Sequence, residues 1–65
     1  MIEIDLSGPQ GNAYALMGCV QQWGKDLGWS RAEVKVVIDE MMSGNYDNLC
    51  QTVEKHFGDY VELVK

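Results

Sequence analysis

Two segments patterned as strands lie at opposite ends of this chain, and every other periodic segment lies between them. Ile2, Ile4 and Leu6 alternate with Glu3 and Asp5, the period of two that a strand with one buried face requires. At the other end, residues 59–64 carry Tyr60, Val61, Leu63 and Val64, residue types that suit a pleated, half-buried surface. Within the chain, each strand has only the other as a partner. An isolated two-stranded sheet is marginal in water, so this one has to pack against the intervening elements. Both its edges stay open, which makes pairing between protomers an easy way to complete the core.

The intervening segments read as three helices. Ser7-Gly8-Pro9-Gln10-Gly11 breaks the first strand, and Asn12 is a good N-cap, its side-chain oxygen able to accept from the first helical turn. A helix over 13–27 follows, with Leu16, Val20, Trp23 and Leu27 recurring at spacings of four, three and four, and Gly28 placed to end it. Gly18 and Gly24 interrupt this helix. Each costs roughly 1 kcal/mol against alanine, so close packing of another element is expected there, with tolerated weakness of the helix as the equal alternative. The second helix starts at a capping box, Ser30-Arg31-Ala32-Glu33, with Trp29 before it positioned to staple onto Val34. Its stripe is Val34, Val37, Ile38, Met41 and Met42, with Arg31, Lys35, Asp39 and Glu40 on the wet side and Gly44 after it. A third helix over 46–57 presents Tyr46, Leu49, Cys50, Val53 and Phe57 on one face before Gly58. The fold class predicted is α+β, in the order β-α-α-α-β, as a single domain over residues 1–65.

A chain of 65 residues buries only about 60% of the surface its unfolded form exposes, which disfavours a large enclosed active site. Ten acidic against five basic residues give a net charge of −5, which repels a phosphate backbone and argues against direct nucleic-acid binding. No apolar run approaches a membrane span, and the N-terminal residues lack the pattern of a signal peptide, so a cytoplasmic protein without membrane attachment is expected. Cys19 and Cys50 are too few for a disulfide framework.

These residues offer little for catalysis. The single histidine, His56, is six positions from Cys50, about 600° around a helix and so on a different face. Zinc is disfavoured by scattered ligands, and the Asn45-Tyr46-Asp47-Asn48 cluster lacks the downstream glycine and glutamate of a calcium loop. No enzyme, metal or cofactor is therefore expected. The stretch that stands out is Ser7, Gly8, Pro9, Gln10, Gly11, Asn12 and Ala13. A glycine-rich turn between a strand and a helix N-terminus gathers backbone N–H groups at the positive end of a dipole, an arrangement that suits phosphate. The competing interpretation is a tight turn whose glycines serve backbone geometry alone. Tyr14, in the first helical turn, and Tyr60, on the neighbouring strand, are the aromatic residues expected nearest to such a ligand.

Ile4-Asp5-Leu6-Ser7-Gly8-Pro9-Gln10-Gly11-Asn12-Ala13-Tyr14-Ala15-Leu16-Met17-Gly18, with Ser43-Gly44-Asn45-Tyr46-Asp47-Asn48-Leu49 and His56-Phe57-Gly58-Asp59-Tyr60-Val61-Glu62-Leu63 downstream, resembles a family of very small bacteriophage and prophage proteins. The resemblance covers most of the chain and implies a setting, the host cytoplasm, more than a mechanism. Small phage accessory proteins commonly disarm host defences, as oligomeric sponges for nucleotide second messengers or as inhibitors docked on a defence protein. The expectation is thus a non-enzymatic homo-oligomer that sequesters a phosphate-bearing nucleotide at the glycine turn. The alternative is an acidic inhibitor of a host protein that uses Glu33, Asp39, Glu40, Asp47, Glu54, Asp59 and Glu62.

Overall fold

The computed structural model describes residues 2–64 and holds the predicted α+β fold. Strand β1 (Ile2–Asp5) is followed by α1 (Ala13–Asp26), α2 (Arg31–Met41), α3 (Tyr46–Phe57) and strand β2 (Val61–Val64). The two strands are parallel, with Ile2 opposite Val61, Glu3 opposite Glu62, Ile4 opposite Leu63 and Asp5 opposite Val64. Three helices folded back and forth make an odd number of passes, which returns the chain to the end of the sheet where it began. Parallel pairing needs such a long crossover. The Ile2 N–H donates to the Tyr60 carbonyl at 2.9 Å and the Leu6 N–H to that of Val64 at 2.6 Å, lengthening the ladder at both ends.

The inward face of the sheet carries Ile4 and Val61, both buried, with Ile2 and Leu63 half-buried beside them. Glu3, Asp5 and Glu62 are exposed on the other face, where Glu3 and Glu62 lie across from each other. Like charges in register destabilise a pair, and an acidic strand also discourages edge-to-edge association with another acidic copy.

The buried cluster joins Ile4 and Val61 to Leu16, Val20 and Trp23 of α1, Val37 and Met41 of α2, and Leu49, Val53 and Phe57 of α3. Each helix supplies most of its predicted stripe, but Leu27, Met42 and Tyr46, expected on the buried faces, are exposed: the first two fall at the C-caps of α1 and α2, beyond the packed turns, and Tyr46 opens α3. The Phe57 ring tilts against Trp23 at 5.6 Å and stacks on Trp29 at 4.8 Å, so three aromatic residues lock α1, α3 and the α1–α2 connection together. Among the described residues the one buried polar side chain, Thr52, donates its hydroxyl to the Asn48 carbonyl at 2.8 Å.

Caps set the helix ends. Asn12 accepts from the Ala15 N–H, Ser30 and Glu33 form the reciprocal capping box, and Asn45 accepts from the Asn48 N–H. Helix α1 ends one residue before the predicted limit, with Leu27 as its C-cap, and Gly28 follows at φ 79°, a left-handed conformation that side chains resist.

The two glycines inside α1 differ. A Cβ on Gly24 would lie 2.5 Å from Val34 Cγ2, so this glycine lets α2 approach closely, as the sequence predicts. A Cβ on Gly18 would meet nothing within 4 Å, so no element packs closely there and this glycine is a tolerated weakness of the helix. The two therefore respond oppositely to alanine. Gly18→Ala should stabilise by up to about 1 kcal/mol through helix propensity. Gly24→Ala should destabilise by about 1 to 2 kcal/mol, because the branched Val34 side chain has to move. Urea melts of the two variants check both signs, and a stabilised Gly24→Ala would show that the approach of the helices is not tight.

Between α2 and α3, Glu40 receives Lys55 Nζ at 3.0 Å and pairs with His56 Nε2 at 2.9 Å. The bond to His56 first, then that to Lys55, holds the Glu40 carboxyl below the ordinary glutamate range. Its folded value is depressed, so its contribution is present above the unfolded value and is lost as pH falls through the folded one. Glu40→Gln should accordingly flatten the acid side of the stability profile. Urea midpoints compared at about pH 7 and about pH 3 test this, and equal acid slopes in both proteins would remove Glu40 from the cause.

Candidate functional site

The strand-to-helix turn uses part of its polar groups internally. Ser7 donates both its N–H, at 2.9 Å, and its hydroxyl, at 2.6 Å, to Asp5 Oδ1. The hydroxyl bond, then the N–H bond, holds the Asp5 carboxyl below its ordinary value. The Gly8 N–H donates to the Asp5 carbonyl and the Gly11 N–H to the Gly8 carbonyl, while Asn12 Nδ2 donates to the Pro9 carbonyl. Tyr46 donates its hydroxyl to the Gly11 carbonyl, tying the turn to α3. Gly11 has a backbone reason for being glycine, since a Cβ there would lie 1.8 Å from the Leu6 carbonyl oxygen. Among the described residues, the N–H groups of Gln10, Asn12, Ala13 and Tyr14 have no protein acceptor. The Asp5 carboxylate sits within this turn. Tyr14 is 85% exposed at the start of α1, and Tyr60 is half-buried just before β2.

A second place combines charge, shape and an aromatic side chain. Helices α1 and α2 run back from a four-residue connection and meet where Gly24 faces Val34, leaving a groove of about 690 Å³ along one side. From α1 it takes Gly18, Gln21, Gln22 and Lys25, and from α2 Arg31, Val34, Lys35 and Ile38. Both sets follow the i, i+3, i+4, i+7 spacing of a single helix face, so two stripes confront each other. Trp29, in the connection between them, also lines the groove while stacking on Phe57.

The groove contains three of the chain's five basic residues, and no carboxylate lines it. Lys35 is paired with Asp39 at 3.0 Å, and Gln22 donates to Asp26 at 2.9 Å. Among the described residues, Lys25 and Arg31 make neither an ion pair nor a side-chain hydrogen bond. Lys25 lies in the last turn of α1, where a cation complements the helix dipole. Arg31 opens α2, at the end where the dipole disfavours a cation. Two cations without an ion-pair partner among the described residues flank Trp29 in an acidic chain and leave room for an anion from outside it.

The other chemistry-bearing residues do not assemble. No group of three potential metal ligands occurs among the described residues, and no disulfide joins Cys19 and Cys50. His56 is engaged by Glu40, and burial pushes the Cys19 thiol up. Among the acids proposed to face a partner, Glu33 closes the capping box, Asp39 holds Lys35 and Glu40 holds Lys55 and His56. No described helix is long and apolar enough to cross a membrane.

Periodicity puts Arg31 and Lys35 on a solvated face and gives Lys25 no special place. The available signal was the concentration of three of five cations between positions 25 and 35, around a glycine that reverses the chain. No family model, curated protein or solved structure matches this chain.

Proposed function

We propose that this protein binds a small phosphate-bearing ligand in the α1–α2 groove and holds it without chemical change. The observation that carries this reading is the pair of cations without an ion-pair partner among the described residues, Lys25 and Arg31, on a groove with no lining carboxylate. Charge-assisted hydrogen bonds from a guanidinium and an ammonium are the strong ones available to a phosphate, and Arg31 offers a bidentate fork. Holding without turnover is supported by the lining residues, which include no histidine, cysteine or carboxylate to act as base or strong nucleophile. The resemblance to small phage accessory proteins favours the same reading, because a sponge needs affinity and no chemistry. The groove replaces the glycine turn as the preferred place, because the Asp5 carboxylate sits in the turn and takes two of its donors, whereas no carboxylate lines the groove.

Titration calorimetry with inorganic pyrophosphate should give a saturable isotherm that weakens as salt rises. The Lys25→Gln/Arg31→Gln double variant should lose at least about tenfold in affinity, whereas Lys55→Gln, whose lysine serves the Glu40 network, should not. Failure of pyrophosphate to bind at low salt, or equal loss in the Lys55 variant, would end this reading.

A further inference from the structure

The groove has two chemically different ends. Its cationic end is at the connection, where Lys25 closes α1 and Arg31 opens α2. Seven residues away along each helix, the lining is Gly18 on one side and Ile38 on the other, with Val34 between. Ile38 and Val34 are half-buried apolar side chains, and the position of a Cβ on Gly18 is open for 4 Å around. A glycine inside a helix costs stability, and here no neighbour needs the space it leaves. Gln21 lies beside it with no described partner for its amide, which both donates and accepts.

Resting on the phosphate reading above, we infer that the ligand is a nucleoside diphosphate or a close relative. Its phosphates lie between Lys25 and Arg31, and its base lies over Gly18 against Val34 and Ile38. The missing side chain at position 18 forms the seat for a flat ring, and the apolar wall of α2 covers the ring's other surface. Gln21 is placed to meet the polar edge of the base. The chain's net charge of −5 makes a single nucleotide a better occupant than a polymer, whose further phosphates would extend over acidic surface.

Calorimetry with ADP and inorganic pyrophosphate on three proteins tests the assignment: the unaltered chain, Gly18→Ala and Gly18→Leu. Position 18 is exposed in a helix, and both substitutions raise helix propensity, so all three should fold. The unaltered protein should bind ADP roughly tenfold more tightly than pyrophosphate, the increment expected from covering part of one base with the apolar side chains of Val34 and Ile38. Gly18→Ala should keep most of that advantage. Gly18→Leu should fill the seat, bringing ADP down to the level of pyrophosphate while leaving pyrophosphate unchanged. Equal affinity of the unaltered protein for the two probes, or full ADP affinity in Gly18→Leu, would overturn the base seat and leave the phosphate site standing. Absence of binding by both probes would overturn both.

Discussion

Phe57→Ala should abolish cooperative folding. Phe57 is 2% exposed, stacks on Trp29 and tilts against Trp23, so its removal leaves a void where α1, α3 and the α1–α2 connection meet. Truncating a buried phenylalanine costs about 3 to 5 kcal/mol, and a core in this size class rarely supplies more than that in total. The near-ultraviolet circular dichroism of the tryptophans should collapse, and urea should reveal no sigmoidal transition. Phe57→Leu, which keeps most of the apolar volume, should restore a transition at lower urea. A Phe57→Ala variant that melts cooperatively near the unaltered midpoint would mean that the aromatic cluster is not the centre of the core. Because Trp29 also lines the groove, loss of Phe57 should remove pyrophosphate binding along with the fold.

Gly11→Ala is the second large effect expected. The added methyl would fall 1.8 Å from the Leu6 carbonyl oxygen and 2.4 Å from its carbon, both backbone atoms that no rotamer change can move. Relief requires opening the turn between β1 and α1, and with it the hydroxyl bond from Tyr46 to the Gly11 carbonyl. A cost of about 3 kcal/mol follows, at the upper end for overpacking, because the clash is with main chain. Gly8→Ala is the control. Its Cβ would meet the Asp5 carbonyl oxygen at 3.5 Å, an ordinary contact, so its midpoint should stay close to that of the unaltered protein. Equal urea midpoints for the two variants would show that the turn is looser than its geometry indicates. The contrast also bears on what the turn is for, since a glycine required by the path of its own backbone needs no ligand to explain it.

Much of the architecture was legible because it is local. Alternation at Ile2, Ile4 and Leu6, the Ser30 to Glu33 box, and the stripe of Leu49, Val53 and Phe57 depend on torsions and neighbours within a few residues, so strand, cap and helix could be read directly. The third helix falls on its predicted limits for that reason. Glycine reads less well, because the residue permits close approach without requiring it. Gly18 and Gly24 look alike in sequence, and only the position of Val34 separates an open surface from a helix contact.

Only the tertiary structure decided the rest. The parallel register of β1 and β2 depends on how three helices pass, and the Glu40 bonds to Lys55 and His56 join residues 15 and 16 positions apart. The groove is the clearest case. Lys25 and Arg31 belong to different helices, and whether their charges face a common space is set by the approach at Gly24 and Val34. Periodicity tells which side of each helix is wet, but not which two wet sides meet, because that depends on a packing contact between elements and not on any torsion within one.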